Sequence, residues 1–196
     1  VMDSIGEWNT ITIWEGRDGE LTRKFSQNYP HSVGIWYSAM TQRIGLQPQI
    51  QEHIVSEMAL VGNSDRYYEL IKSEFIKKMP STSDPRLLFK RNCHRGCRDW
   101  RPELNTVQDL TDIAAATQRI FAEIVDSLVV CSLKLTHSKN IVLMGGCSMN
   151  KVCRESADKY FDKTWIMPSP GDASSALGCV LAHTKSKIRV RKTLWS

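Results

Sequence analysis

Apolar residues recur along this chain with two different periods, and the switches between them mark its elements. Ile11-Thr-Ile-Trp14 and Glu20-Leu-Thr-Arg-Lys-Phe25 alternate with a period of two around a Gly16-Arg-Asp-Gly19 turn, so residues 10–26 read as a β-hairpin. Before it, Val1-Met2 reads as the end of an earlier strand, and Asp3-Ser-Ile-Gly-Glu7 as a strand–turn–strand corner that sets a carboxylate on a glycine loop. From Ser32 the spacing turns helical: Val33, Trp36, Tyr37 and Met40 follow a Ser32 cap, and Gly45 is the stop. A second short helix is expected over 51–60, ended by Gly62-Asn63. A third is expected over 65–79, with Tyr68, Ile71, Phe75 and Ile76 on one side.

The stretch 80–102 is rich in Pro, Ser, Arg and Cys and has no clean period beyond a short strand at 87–89, so it reads as a long excursion or a flexible insert. Residues 106–135 then carry one broad apolar stripe through Leu110, Ile113, Ile120, Ile124 and Leu128. A strand at 141–144, a helix at 150–160, a strand near 165–167 and a helix at 173–183 complete the grammar of an α/β domain, with helices packed on a sheet.

Composition narrows the class. With 41% hydrophobic and 24% charged residues the chain reads as an ordinary soluble globular domain. No apolar run approaches the roughly twenty residues of a membrane span, and the amino end lacks a leader's basic flank and apolar stretch, so a cytoplasmic protein is expected. The formal charge of +5 is concentrated in Lys185–Lys192 and around Lys90, Arg91, Arg95, Arg98 and Arg101. Such runs read as solvated surface, and nucleic acid is not the expected partner. Trp100 and Trp195, flanked by basic residues, are the two tryptophans that could serve one. Among six cysteines, Cys93-His-Arg-Gly-Cys97 has the look of half a zinc site but no second pair at the required spacing; reduced cysteines are the simpler reading.

The densest chemistry lies late in the chain. Ile141-Val-Leu-Met-Gly-Gly-Cys-Ser-Met-Asn150 and Pro168-Ser-Pro-Gly-Asp-Ala-Ser-Ser-Ala-Leu-Gly178 form a strand–loop–helix unit, twice over, with polar groups at the loop tips. That pattern suits a phosphate-bearing ligand, because glycines let backbone N–H groups approach closely and helix N-termini favour anions. Asp172 at a loop-to-helix junction offers the hard oxygen a metal-bridged polyphosphate needs, with a helix cap as the lesser alternative. His31 reads as a local hydrogen-bonding residue at a helix start. Cys147 has no paired base that would make it a nucleophile.

Taken in order, five blocks carry a resemblance. They are Asp3-Ser-Ile-Gly-Glu7; Pro30-His-Ser-Val-Gly-Ile-Trp-Tyr37 with Thr41 and Gly45; the long helix with Ala114 and Gln118; Gly145-Gly-Cys-Ser-Met-Asn150; and Pro170-Gly-Asp-Ala-Ser-Ser-Ala-Leu-Gly178. Together they resemble the carbamoyltransferase family of antibiotic and nodulation-factor biosynthesis, over residues 1 to about 184. The resemblance implies an actin-like (RNase H-like) lobe with a mixed sheet and packed helices, the second half of that domain, with 80–102 as an irregular insert and 185–196 as a basic tail. It implies a reaction in which ATP and carbamoyl phosphate give carbamoyl-adenylate, whose carbamoyl group passes to a hydroxyl.

Position by position, it implies that Asp3, Gly6 and Glu7 face the nucleotide phosphates. Gly145 and Gly146 would pack against the adenosine with Asn150 beside them, Gly171 would join the nucleotide site, and Asp172 would ligate a divalent metal, iron or magnesium. The family's His-x-x-x-His motif, first glycine loop and carboxy-terminal domain have no counterpart here, so a first lobe and that domain are implied partners, in cis or in trans, and the chain alone is expected to be inactive. Ile54, Ser56 and Glu57 depart from the family pattern, as do Ser174 and Ser175. These departures keep open a second reading: an interaction module that retained the lobe and lost its chemistry, with an uncovered face prone to self-association.

Overall fold

The computed structural model describes residues 1–185 and is mixed α/β, with helices around three small sheets. The basic tail beyond Lys185, with Trp195, lies outside the described residues. In chain order the strands are β1 (Met2–Gly6), β2 (Asn9–Arg17), β3 (Glu20–Asn28), β4 (Ile76–Lys78), β5 (Leu88–Phe89), β6 (Asn140–Leu143) and β7 (Lys163–Ile166). The helices are α1 (Val33–Arg43), α2 (Glu52–Met58), α3 (Ser64–Phe75), α4 (Val107–Thr136), α5 (Lys151–Ala157) and α6 (Asp172–Thr184).

The 30-residue α4 is the post on which the other elements lean. Its start is a reciprocal cap: the Thr106 hydroxyl accepts from Asp109 N at 3.1 Å, while the Asp109 carboxylate accepts from Thr106 N at 3.1 Å. Its end is His137, whose left-handed backbone lets its N–H reach Leu133 O. Between them Ile113, Ile120, Phe121, Ile124 and Leu128 are buried, the apolar stripe the sequence announces. Against this stripe lie α3, α2, α1, α5 and β2. The α2–α3 corner approaches so closely that a Cβ on Gly62 would sit 2.1 Å from Thr111 O.

The antiparallel sheet runs β1-β2-β3, with Met2 opposite Ile11 and Arg17 opposite Glu20. The parallel pair β6-β7 stands beside β1, tied to it by a 2.8 Å bond from Met2 N to Met144 O.

Two regions differ from the periodic reading. The helix expected over 65–79 ends at Phe75, because Ile76–Lys78 leaves the helix to pair with Leu88–Phe89. The 80–102 stretch has little regular structure, yet Leu87, Phe89, Cys93 and Trp100 are all in the core. Arg43 of α1 explains much of this. It donates to the carbonyl oxygens of Trp100, Arg101 and Leu104, and its guanidinium lies 5.8 Å from the Trp100 ring centre. Trp100, a candidate for nucleic acid from its basic flanks, is instead buried edge-on against Phe75, with its indole N–H on Glu74. The same Glu74 pairs with Arg91 and Arg101, so part of the basic cluster is neutralised locally.

Candidate functional site

The cleft begins with β1. Ser32 caps α1 by accepting from Ile35 N at 3.1 Å, and its hydroxyl donates to Asp3 O at 3.0 Å, so one side chain starts the helix and holds the strand. On this side Gly34 leaves room for β1, since a Cβ there would lie 2.8 Å from Ser4 N. On the other side Gly145, with φ +91°, presses against Met2, and a Cβ there would lie 2.1 Å from Met2 O. The strand is thus gripped between two glycines, and Asp3 emerges at their shared edge. Its carboxylate accepts from Ser4 N at 2.7 Å.

The loops that follow β6 and β7 close on the same place. Gly145 N donates to Pro170 O at 2.8 Å, and a Cβ on Gly171 would stand 3.9 Å from Gly146 Cα. A Cβ on Gly146 would meet Asp3 Oδ1 at 3.6 Å, an ordinary contact distance. Asp3, Gly146, Asn150, Gly171 and Asp172 therefore line one cleft of about 1270 Å³. It lies outside the carboxyl ends of the two parallel strands, where open α/β sheets usually bind ligands. Gly6 and Glu7 are not brought in: they sit exposed at the β1–β2 turn and do not line it. Gly145 contributes by packing protein backbone, with no free face toward the cleft.

Asp172 is not a helix cap. Gly171 holds that position without a side-chain bond, and Asp172 is the first residue of α6, exposed and with no hydrogen bond among the described residues. The first turn of a 13-residue helix thus presents N–H groups and a free carboxylate together. No group of three or more His, Cys, Asp or Glu side chains among the described residues is arranged to hold a metal ion. The described residues therefore do not by themselves make a metal site.

Asn150 has its polar atoms engaged within the protein. Its Oδ1 accepts from Val152 N at 3.2 Å, capping α5, and from Gln118 Nε2 at 3.0 Å; its Nδ2 donates to Gln118 Oε1 at 3.0 Å and reaches Tyr37 Oη at 3.4 Å. Tyr37 donates to the same Gln118 oxygen at 2.6 Å. Burial pushes the Tyr37 phenol well above the usual range, so it stays a donor. Tyr37 and Gln118 were visible in the sequence only as parts of longer matching blocks. Their joint role needed α1, α4 and α5 to be brought together. Asn150→Ala is expected to cost about 1–2 kcal/mol of stability, one cap plus one neutral pair, readable by urea unfolding. A loss below about 0.5 kcal/mol would mean the network is idle.

The family model described as Carbamoyltransferase N-terminus matches residues 1–181. The chain belongs to the carbamoyltransferase family. A Synechocystis sp. protein (strain ATCC 27184 / PCC 6803 / Kazusa), named as uncharacterized protein sll1178, is 28% identical over 92% of this chain and 32% of its own length. The chain thus spans about a third of that relative. Within this family member Cys153 is buried and Cys147 half-buried, and desolvation pushes both thiols up, Cys153 to about 12. Cys93 and Cys97 are likewise raised by burial, to about 11 and about 12, and Cys97 Sγ lies 3.1 Å from Ala39 O. His31 holds architecture: its Nδ1 accepts from Phe89 N at 3.1 Å, and its carbonyl accepts from Thr10 and Gln27. No helix among the described residues is long and apolar enough to cross a membrane.

Proposed function

We propose that this chain is the nucleotide-binding lobe of a carbamoyltransferase that uses ATP and carbamoyl phosphate to carbamoylate a hydroxyl through carbamoyl-adenylate. The observation that carries the reading is the meeting of Asp3, Gly146, Gly171 and Asp172 on one cleft at the ends of parallel strands. An actin-like (RNase H-like) lobe, the second half of its domain, accords with three antiparallel strands flanked on the β1 side by a parallel pair.

In this reading the open face of Gly146 admits the nucleoside, and the uncapped N–H groups of α6 accept phosphate oxygens. Asp172 stands among those N–H groups as a negative charge that a polyphosphate would repel. A divalent cation, iron or magnesium, shared between Asp172 and the phosphates removes that repulsion, with its other ligands coming from outside this chain. The residues of this chain bind and orient. The other lobe and the carbamoyl phosphate domain, in cis or in trans, complete the site, and the chain alone is inactive.

The test is ATP titration with Mg²⁺, followed by tryptophan fluorescence, in which Asp172→Ala weakens binding about tenfold, or about 1.4 kcal/mol. Equal affinity of both proteins for ATP with Mg²⁺ would remove Asp172 from the site. A second reading, an interaction module built on this lobe, draws on α6, which has no buried residue and leaves Val180 57% exposed. It predicts no ATP binding even with the complementary lobe added.

A further inference from the structure

Tyr37, Gln118 and Asn150 all line the cleft, yet they do not offer it equal hydrogen-bonding capacity. A primary amide has two lone pairs on its oxygen and two N–H groups to satisfy. Asn150 satisfies all of them inside the protein: its oxygen takes Val152 N and Gln118 Nε2, and its nitrogen serves Gln118 Oε1 and Tyr37 Oη. Gln118 stops one short. Its oxygen takes Tyr37 Oη and Asn150 Nδ2, one N–H goes to Asn150 Oδ1, and the other N–H has no partner among the described residues.

The polarity of the amide pair is fixed from both ends. Val152 N is a backbone donor, so the Asn150 atom it meets is the oxygen, and Gln118 must then present its nitrogen to that oxygen. At the other end Tyr37, kept protonated by burial, gives its proton to the Gln118 oxygen at 2.6 Å. The Gln118 amide cannot turn over without setting like groups against each other at Asn150. Around it the cleft is small and apolar. Ala115 and Ala122 lie one turn to either side on the same face of α4, and Leu60 and Met149, both largely exposed, line the same cleft.

We infer that Gln118 is the residue that selects the base of the nucleotide: its spare N–H donates to a ring nitrogen of a flat heterocycle laid over Ala115 and Ala122. This rests on the nucleotide reading of the cleft, and it assigns base recognition to Gln118 in place of Asn150, whose capacity is spent. A half-buried N–H costs little while water reaches it. Once a ligand covers it, the N–H either finds an acceptor or bears its full desolvation penalty, so a base with a nitrogen at that place is favoured over one with a C–H. The alanine floor suits the face of a ring, whereas phosphate oxygens gain nothing from methyl groups.

The test is a titration of the chain, in Mg²⁺, with ATP and with its 1-deaza, 3-deaza and 7-deaza analogues, each of which replaces one ring nitrogen by C–H. One analogue is expected to bind about tenfold more weakly than ATP, and the other two within about twofold of it. Gln118→Met, which keeps the length and removes both N–H groups, is expected to bind ATP and the disfavoured analogue equally. Gln118→Glu, which keeps an oxygen for Tyr37 and so guards against a variant that does not fold, is expected to lose the same preference. An unaltered chain that binds all four nucleotides alike would overturn the inference and leave the nucleotide reading standing. So would a folded variant that keeps the preference. A chain that binds none of the four fails the nucleotide reading, and the role of Gln118 with it.

Discussion

Gly145→Ala is expected to lower unfolding stability by about 3 kcal/mol or more, the larger of two effects at adjacent glycines. The residue holds φ +91°, where an L side chain costs about 1–2 kcal/mol, and the added Cβ meets Met2 O at 2.1 Å, where backbone must move on both sides. The strand has little room to yield toward α1, which lies so close that a Cβ on Gly34 would stand 2.8 Å from Ser4 N. Gly146→Ala is the control: its Cβ would meet Asp3 Oδ1 at 3.6 Å, an ordinary contact, so stability should change by less than about 1 kcal/mol while nucleotide binding falls. Urea unfolding of both variants checks this. Equal losses would show that the grip on β1 is soft.

Arg43→Ala should be of similar size, about 3–4 kcal/mol. The guanidinium is buried and serves three carbonyl oxygens, with Nη2 at 2.6 Å from Arg101 O and 2.7 Å from Leu104 O. Removing it strands acceptors at a buried site, each worth about 1–3 kcal/mol when left dry, and opens a void beside Trp100. Near-ultraviolet circular dichroism of Trp100 should change together with the loss of stability. Were the 80–102 stretch only loosely held, the variant would lose less than about 1 kcal/mol and the tryptophan signal would stay.

These two positions also mark what the sequence could and could not disclose. Elements whose order comes from their own side-chain period were legible. The apolar stripe expected over 106–135 is α4 at Val107–Thr136, and the hairpin turn at Gly16–Gly19 is in place. Ser32 was legible as a cap, but its second bond to Asp3 O was not, because a hydroxyl's acceptor is set by tertiary approach.

The order of 80–102 was hidden for the same reason. It rests on main-chain carbonyls meeting an arginine far away in sequence, and carbonyls are identical at every position. Ile76 extended the helical pattern of Phe75, and only its pairing with Phe89, from the far side of a loop, turns it into a strand. At the site, the glycine-rich loops and Asp172 stood out as loop-tip chemistry and do meet. Gly6 and Glu7 shared a motif with Asp3 yet point elsewhere, because a β-turn separates what adjacency in sequence suggests. Cys147 showed no partner in sequence and in place is a half-buried thiol on the cleft wall.

The bond from Met2 to Met144 joins the first strand to a loop far along the chain. Closing a loop of that length carries an entropic cost that local structure does not repay in advance, so this contact is expected to form late in folding, after the β2–β3 hairpin and the α3–α4 pair. Asp3 and Gly146 face each other only once it has formed. A ligand held between them therefore has nothing to grasp in the folding transition state, and its stabilisation should appear as slower unfolding with the refolding rate unchanged.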